Sequence, residues 1–284
     1  MTPLHHVAVR DTRLVVHTCG SGLPLLLLHA FPLDHSMWER QGPLAESLRL
    51  IAPDQRGFGG SQGSLPQSME QLADDAVALL DALHVAAPAV VCGLSMGGYV
   101  AQHVAARHPG RVAALVLVDT KLEADTPEAR TGRADLAAKV GRLGQSILAD
   151  AMVPRLLAAG PQSQAVDRDG IEEMLRRTIA AQPVETIQAA LAALGARPDM
   201  SEALRRVRVP TLLVVGAEDA ITPPACMEAA TRVLPEARLL VVPGAGHMTP
   251  LERPDLFNAA LLEFLHEALP AGHPHQGHPH QGRP

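Results

Sequence analysis

The amino-acid sequence predicts an α/β protein: a mostly parallel, eight-stranded sheet flanked by helices, with a helical cap inserted into it. Three observations carry that expectation. Short apolar runs alternate with longer amphipathic segments along most of the chain, the order expected of strands joined by crossover helices. A glycine-flanked turn, Gly93-Leu94-Ser95-Met96-Gly97, joins an apolar run directly to a helical pattern. Residues 121–201 carry helical periodicity without a convincing strand, and that is more chain than a simple crossover requires.

The elements follow in order. Val7–Arg10 and Arg13–Thr18 alternate like strands around a tight turn at Asp11-Thr12. Leu25–His29 is a continuous apolar run ending at a Pro-containing loop, the pattern of a strand buried on both faces. Arg49–Ala52 is another strand, stopped by Pro53. Ser68–Leu83 repeats its apolar residues at helical spacing, with Ser68 placed to cap it. Ala89–Cys92 and Val112–Val118 are further buried strands, separated by a helix over Met96–Arg107. Asp135–Val140, Ile171–Ala181 and Glu185–Leu194 are helical stretches of the cap. Apolar residues in Leu143–Leu157, Met174–Ala181 and Ile187–Leu194 suit a hydrophobic pocket beneath it. Thr211–Val215 and Arg238–Val242 complete the strands, and Pro254–His266 is a helix with proline near its first turn, where proline is tolerated.

The expected organisation is a core formed by residues 1–120 and 202–270, a cap over 121–201, and a tail over 271–284. The tail holds HPHQG twice in succession. Its prolines and glycines prevent a packed element, so a disordered tail is expected rather than a His-rich metal tract.

Composition narrows the classes of function. Hydrophobic residues make up 47% and charged residues 19% of the chain, as in an ordinary globular protein. A net charge of −6 offers no basic face for nucleic acid or an anionic membrane. Aromatic residues are only 2%, which leaves few rings for stacking bases or sugars. Cys19, Cys92 and Cys226 are widely spaced, with no CxxC and no metal-ligand spacing, so three reduced thiols are expected. The N-terminus lacks a basic start followed by an apolar stretch, and apolar runs fall short of a membrane span. A cytoplasmic location is the expectation.

The chemistry centres on Ser95. A strand turning straight into a helix strains the middle residue and demands small neighbours two positions away on each side. It also lifts the hydroxyl to a helix N-terminus, where free N–H groups favour developing negative charge. A serine needs a base to take its proton. His247, in the small-residue loop Gly244-Ala245-Gly246-His247-Met248 after the last strand, is the candidate base. The orienting carboxylate is expected after another strand: Asp219 is the choice, with Glu218 and Asp119 as alternatives. The loop His29-Ala30-Phe31-Pro32 can set the backbone N–H of Phe31 opposite that of Met96, two donors for an oxyanion. His29 at this pocket is expected to be a structural hydrogen-bonder rather than a second base. The turn from Asp54 to Ser61 is glycine-rich but lacks the Lys-Ser/Thr ending of a nucleotide loop.

Over about residues 7–268 the chain resembles the α/β-hydrolase superfamily, in particular small bacterial esterase, lactonase and perhydrolase-like members. The resemblance rests on HAFPLDHSMW at 29–38, DQRGFGGS at 54–61, GLSMGGYVA at 93–101, GAEDAITPP at 216–224 and GAGHMTPLERPDLF at 244–257. It implies Ser95 as nucleophile, His247 as base and then acid, Asp219 as its orienter, and Phe31 and Met96 as oxyanion donors. Ala30 departs from the family, which usually has glycine after the histidine. Trp38 resembles the family's pocket-wall residue, with plain packing as the other reading.

The implied activity is hydrolysis of a small carboxylic ester or lactone through an acyl-enzyme, without metal or organic cofactor. Perhydrolase or haloperoxidase-type chemistry and C–C hydrolysis are the enzymatic alternatives. A ligand receptor on the same fold is the non-enzymatic one. Dehalogenases and epoxide hydrolases of this fold carry aspartate where this chain has Ser95.

Overall fold

Strands β1 (Leu4–Val9), β2 (Thr12–Cys19), β3 (Leu23–Leu28), β4 (Leu48–Pro53), β5 (Ala89–Leu94), β6 (Val112–Val118), β7 (Thr211–Gly216) and β8 (Ala237–Val242) form a sheet in the order β1-β2-β4-β3-β5-β6-β7-β8. The computed structural model describes residues 4–269 apart from 62, 64, 161, 162 and 235. The HPHQG repeats therefore lie outside the described residues.

The pairing directions follow from the connections. β1 and β2 are joined by a tight turn at Arg10-Asp11 and pair antiparallel, as a short link requires. β2 also pairs antiparallel with β4, and every later pairing in the sheet is parallel. Parallel neighbours need long crossovers, which the helices supply. β5 and β7 are buried along their full length. That explains their continuous apolar runs: both faces of the sheet are covered there.

Two of the crossover helices are α1 (Met69–Ala82) and α2 (Met96–Arg107). Ser68 caps α1 by accepting the Gln71 N–H at 3.2 Å. Leu72, Ala73, Ala76, Leu79 and Leu80 form its buried face, the spacing of an amphipathic helix. Between β6 and β7 lie α3 (Pro127–Leu143), α4 (Ser146–Leu156), α5 (Arg168–Ala181), α6 (Val184–Ala196) and the short α7 (Ser201–Leu204), with no strand among the described residues. After β7 come α8 (Pro224–Thr231), α9 (Thr249–Glu252) and α10 (Pro254–Ala268).

The two ends of the insertion that carries α3–α6 are joined by a cluster of charges. Asp125 receives Arg197 at 2.8 Å, Arg133 at 2.5 Å and Lys121 at 3.5 Å. The Arg197 guanidinium also lies 4.1 Å from the centre of the Tyr99 ring on α2, a favourable cation–π position. These contacts hold the Asp125 carboxyl down at about 2, against the burial that would raise it.

Several elements were absent from the sequence expectation: the short α7 and α9, α8, and a segment between β3 and β4. His35–Glu46 forms a 3₁₀ segment capped by Asp34, whose carboxylate accepts the Ser36 N–H at 2.9 Å. Gly42 and Pro43 within it break α-helical periodicity, so no 3.6-residue pattern announced it. The three cysteines are unbridged. No helix among the described residues is long and apolar enough to cross a membrane.

Candidate active site

Ser95 stands at the junction of β5 and α2 with φ +53° and ψ −109°. This is a strained conformation for a side chain other than glycine. The surroundings hold it there: its N–H donates to Val118 O at 2.9 Å, while its carbonyl accepts from Thr120 Oγ1 at 3.0 Å and Tyr99 N at 3.1 Å. The flanking glycines are needed for room. A Cβ on Gly93 would sit 2.0 Å from Gly97 O, and one on Gly97 2.0 Å from Leu28 O. Ser95 remains half-buried, open to a reactant, whereas Met96 is fully buried.

Met96 opens α2, so its N–H has no acceptor within the helix. Phe31 lies in the loop after β3, where its neighbours are committed elsewhere: Ala30 N–H points to Met37 Sδ at 3.2 Å and Leu33 N–H to Ala30 O at 2.9 Å. Both expected oxyanion donors thus occupy loop and helix starts at the carboxyl edge of the sheet.

His247 follows β8 in the same edge region and is 2% exposed. Its Nδ1 lies 2.8 Å from Asp219 Oδ2. Asp219 is positioned by its own turn: Oδ1 accepts the N–H groups of Ile221 at 2.7 Å and Thr222 at 3.0 Å. Thr222 Oγ1 donates to Asp219 Oδ2 at 2.7 Å and lies 3.3 Å from His247 Nδ1. Since the carboxylate is the stronger acceptor, the hydroxyl proton goes to Asp219 and the imidazole carries its proton on Nδ1. In the neutral imidazole that tautomer makes Nε2 the acceptor. Burial alone would raise the pKa of Asp219; His247 and the two N–H groups outweigh it and hold the carboxyl below its ordinary range. Thr222 was missed by the sequence reading, although the Asp-x-x-Thr spacing is that of a side-chain-stabilised turn.

Of the three candidate acids that follow strands β6 and β7, Asp119, Glu218 and Asp219, only Asp219 is hydrogen-bonded to the imidazole. Asp119, fully buried with φ +44°, accepts Gly216 N–H at 2.9 Å and the N–H and hydroxyl of Thr249 at 3.2 and 3.1 Å. Burial and the charge of Asp219 push its carboxyl well up. Ser95 Oγ makes no hydrogen bond to His247 among the described residues. Such contacts are often long in an unliganded site and tighten when substrate binds.

The two residues expected at the pocket, His29 and Trp38, both have buried side chains. His29 is fully buried, with Nδ1 donating to Ala30 O at 2.9 Å and Nε2 accepting Gln55 N–H at 2.9 Å. Neither ring nitrogen is left for a substrate, and burial keeps the ring neutral by lowering its pKa. Trp38 lies on the buried side of the 3₁₀ segment, its ring 6.4 Å from that of Phe257. It lines a cleft of about 340 Å³ with His17, Cys19, His35, Leu50 and Ala52, a lining that includes none of Ser95, Asp219 and His247.

A strained serine between strand and helix, and a His–Asp pair on later loops of the same sheet edge, define a protein of the hydrolase class. The chain belongs to the alpha/beta hydrolase fold family, whose pattern matches residues 24–254. A thermophilic esterase from Thermogutta terrifontis is similar in structure, with a TM-score of 0.86 and 36% identity over 94% of this chain and 99% of that one. An enol-lactonase from Burkholderia xenovorans has a TM-score of 0.83 and 29% identity over 92% and 99%. Among sequence relatives, the dihydrolipoyllysine-residue acetyltransferase component of an acetoin cleaving system from Pseudomonas putida is 35% identical over 86% of this chain. The chain spans only 64% of that protein's length.

Proposed function

We propose that this protein is a serine hydrolase that cleaves small carboxylic esters or lactones through an acyl-enzyme. The observation that carries the reading is the positive-φ serine at the start of α2, on the sheet edge that also bears the His247–Asp219 pair at 2.8 Å. The esterase and enol-lactonase among the similar structures support the same substrate class.

In this mechanism Ser95 Oγ attacks the carbonyl carbon while His247 Nε2 takes the hydroxyl proton. The N–H groups of Phe31 and Met96 hold the oxyanion of the tetrahedral intermediate. Asp219 keeps the imidazole in the Nδ1–H tautomer and stabilises the imidazolium. The C–O bond to the leaving alcohol breaks as His247 returns its proton to that oxygen. Water then attacks the acyl-enzyme with His247 again as base, releasing the acid and restoring Ser95. The helical insertion serves as a cap whose apolar faces set the acyl pocket.

Hydrolysis of a p-nitrophenyl ester series from acetate to decanoate, and of a small lactone, by wild type and Ser95→Ala tests the reading. Wild type is expected to turn over the short esters, and the variant to lose several orders of magnitude, about 10⁶ in the subtilisin precedent. A folded variant that keeps wild-type turnover would remove Ser95 from the mechanism.

A further inference from the structure

The loop bearing His247 is held by two buried carboxylates. Asp119 takes the Thr249 N–H and hydroxyl, as described above. Glu252, with no exposed surface, takes the two residues that flank the imidazole: its Oε1 accepts Gly246 N–H at 2.8 Å and Met248 N–H at 3.3 Å. Its Oε2 accepts the N–H of Ala158, in the insertion just after α4, at 2.8 Å. One side chain therefore joins the candidate base loop to the cap.

Other bonds line the same seam. His247 N–H donates to Leu156 O at 2.9 Å, Gln164 N–H to Gly244 O at 2.9 Å, and Val166 N–H to Glu252 O at 3.0 Å. Arg253 reaches Gln164 Oε1 at 2.9 Å. The approach is close enough to require glycine, since a Cβ on Gly246 would sit 2.5 Å from Ala158 N. Three N–H donors converging on one side chain demand an acceptor-only group, which an ionised carboxylate is and an amide is not. Burial pushes the Glu252 carboxyl up, and these N–H groups work against that rise.

We propose that Glu252 is a positioning residue that couples the cap to the base: by joining both neighbours of His247 to Ala158, it aligns the imidazole only while the cap is seated. The proposal rests on the hydrolase reading above. Its consequence is that docking of the segment over the substrate and readiness of the base are one event. A near-attack geometry is thereby assembled only in the closed site, where small misplacements are costly.

Glu252→Gln separates the two halves of the grip. The amide oxygen can still accept from Gly246 and Met248, but its NH₂ group faces the Ala158 N–H, donor against donor. The variant is expected to lose at least about tenfold in kcat per active site titrated with a fluorophosphonate, with KM for a short ester moving by less than about twofold. By hydrogen exchange, the Ala158 amide should open about tenfold faster or more, while amides of β5 and β6 keep their protection. Wild-type kcat per titrated site, or unchanged exchange at Ala158, would overturn the proposal.

If Glu252→Gln does not fold, Arg253→Ala loosens the outer end of the seam. It is expected to speed exchange at Gln164 and lower kcat severalfold with KM held; faster exchange at unchanged kcat would overturn the coupling. Wild type and Ser95→Ala run alongside. A wild type that neither turns over esters or lactones nor takes the probe at Ser95 fails the hydrolase reading, and the proposal with it. An active, Ser95-dependent wild type with an indifferent Glu252→Gln fails the proposal alone.

Discussion

Asp219 Oδ2 lies 2.8 Å from His247 Nδ1, although the two residues are 28 positions apart and sit on loops after different strands. The parallel pairing of β7 with β8 brings those loops side by side, with Gly216 opposite Val242 at the end of the register. A second acid, Asp119, is equally well placed in the chain but spends its carboxylate on Gly216 and Thr249.

This division of labour predicts different losses. Asp219→Asn should lower kcat/KM by about 10³–10⁴-fold, because an amide NH₂ facing Nδ1 favours the wrong imidazole tautomer. Asp119→Asn should stay within about tenfold of wild type, since its bonds go to Gly216 and Thr249 and not to the ring. Steady-state kinetics of both variants on one p-nitrophenyl ester decide it. Equal losses would assign the two acids a shared role.

The elbow predicts a contrast between two glycines. Gly97→Ala should destabilise the protein by on the order of 3 kcal/mol or more, because its Cβ would meet the Leu28 carbonyl at 2.0 Å. Gly132 lies exposed within α3, and a Cβ added there would meet nothing within 4 Å. Gly132→Ala should therefore stabilise by about 0.5–1 kcal/mol. Urea titration of the two variants gives both signs in one experiment.

His35 and Asp54 predict a pH-dependent term in stability. They meet at 2.6 Å between His35 Nδ1 and Asp54 Oδ1. Burial opposes charge on His35, yet the Asp54 hydrogen bond and charge outweigh it and raise the pKa. For Asp54 the same pairing overcomes burial in the other direction and lowers it. The stability from His35 is thus complete below its unfolded value of about 6.5 and lost as pH rises through the raised one. The contribution of Asp54 is present above about 3.9 and lost as pH falls through its lowered value. The Tm advantage of wild type over His35→Gln should be greatest near pH 5–6 and shrink toward about pH 8.5. A constant difference over that range would show that the pair does not titrate.

Arg197 predicts how firmly the helical insertion is held. Arg197→Met leaves Asp125 buried with Arg133 and Lys121 but without its most enclosed partner. The expected cost is about 2–3 kcal/mol, read by thermal or urea unfolding. Amides of α6 should exchange faster while those of β5 do not. A neutral result would mean that apolar packing alone seats the insertion.

Much of this architecture was legible from local pattern. The helix expected over Met96–Arg107 forms with those limits, and Ser68 caps α1 as its position suggested. The 3₁₀ segment at His35–Glu46 was not legible, because Gly42 and Pro43 erase the periodicity that reveals a helix. The setting of Trp38 on that segment was hidden for the same reason: its surroundings depend on how the segment lies against the sheet. Glu252 gave no signal either, since a glutamate beside an arginine and a proline reads as an ordinary surface residue.

Local sequence is enough to specify the alternation of strands and helices, the strained serine turn and the set of acids and histidines near strand ends. These depend on hydrophobic period and on steric limits within a few residues. Which acid meets His247, why His29 has no free nitrogen, and that Glu252 joins the base loop to the insertion were settled by the folded chain. Those outcomes depend on hydrogen-bond geometry between segments far apart in the chain, where a shift of about one ångström makes or breaks a contact that local pattern does not encode.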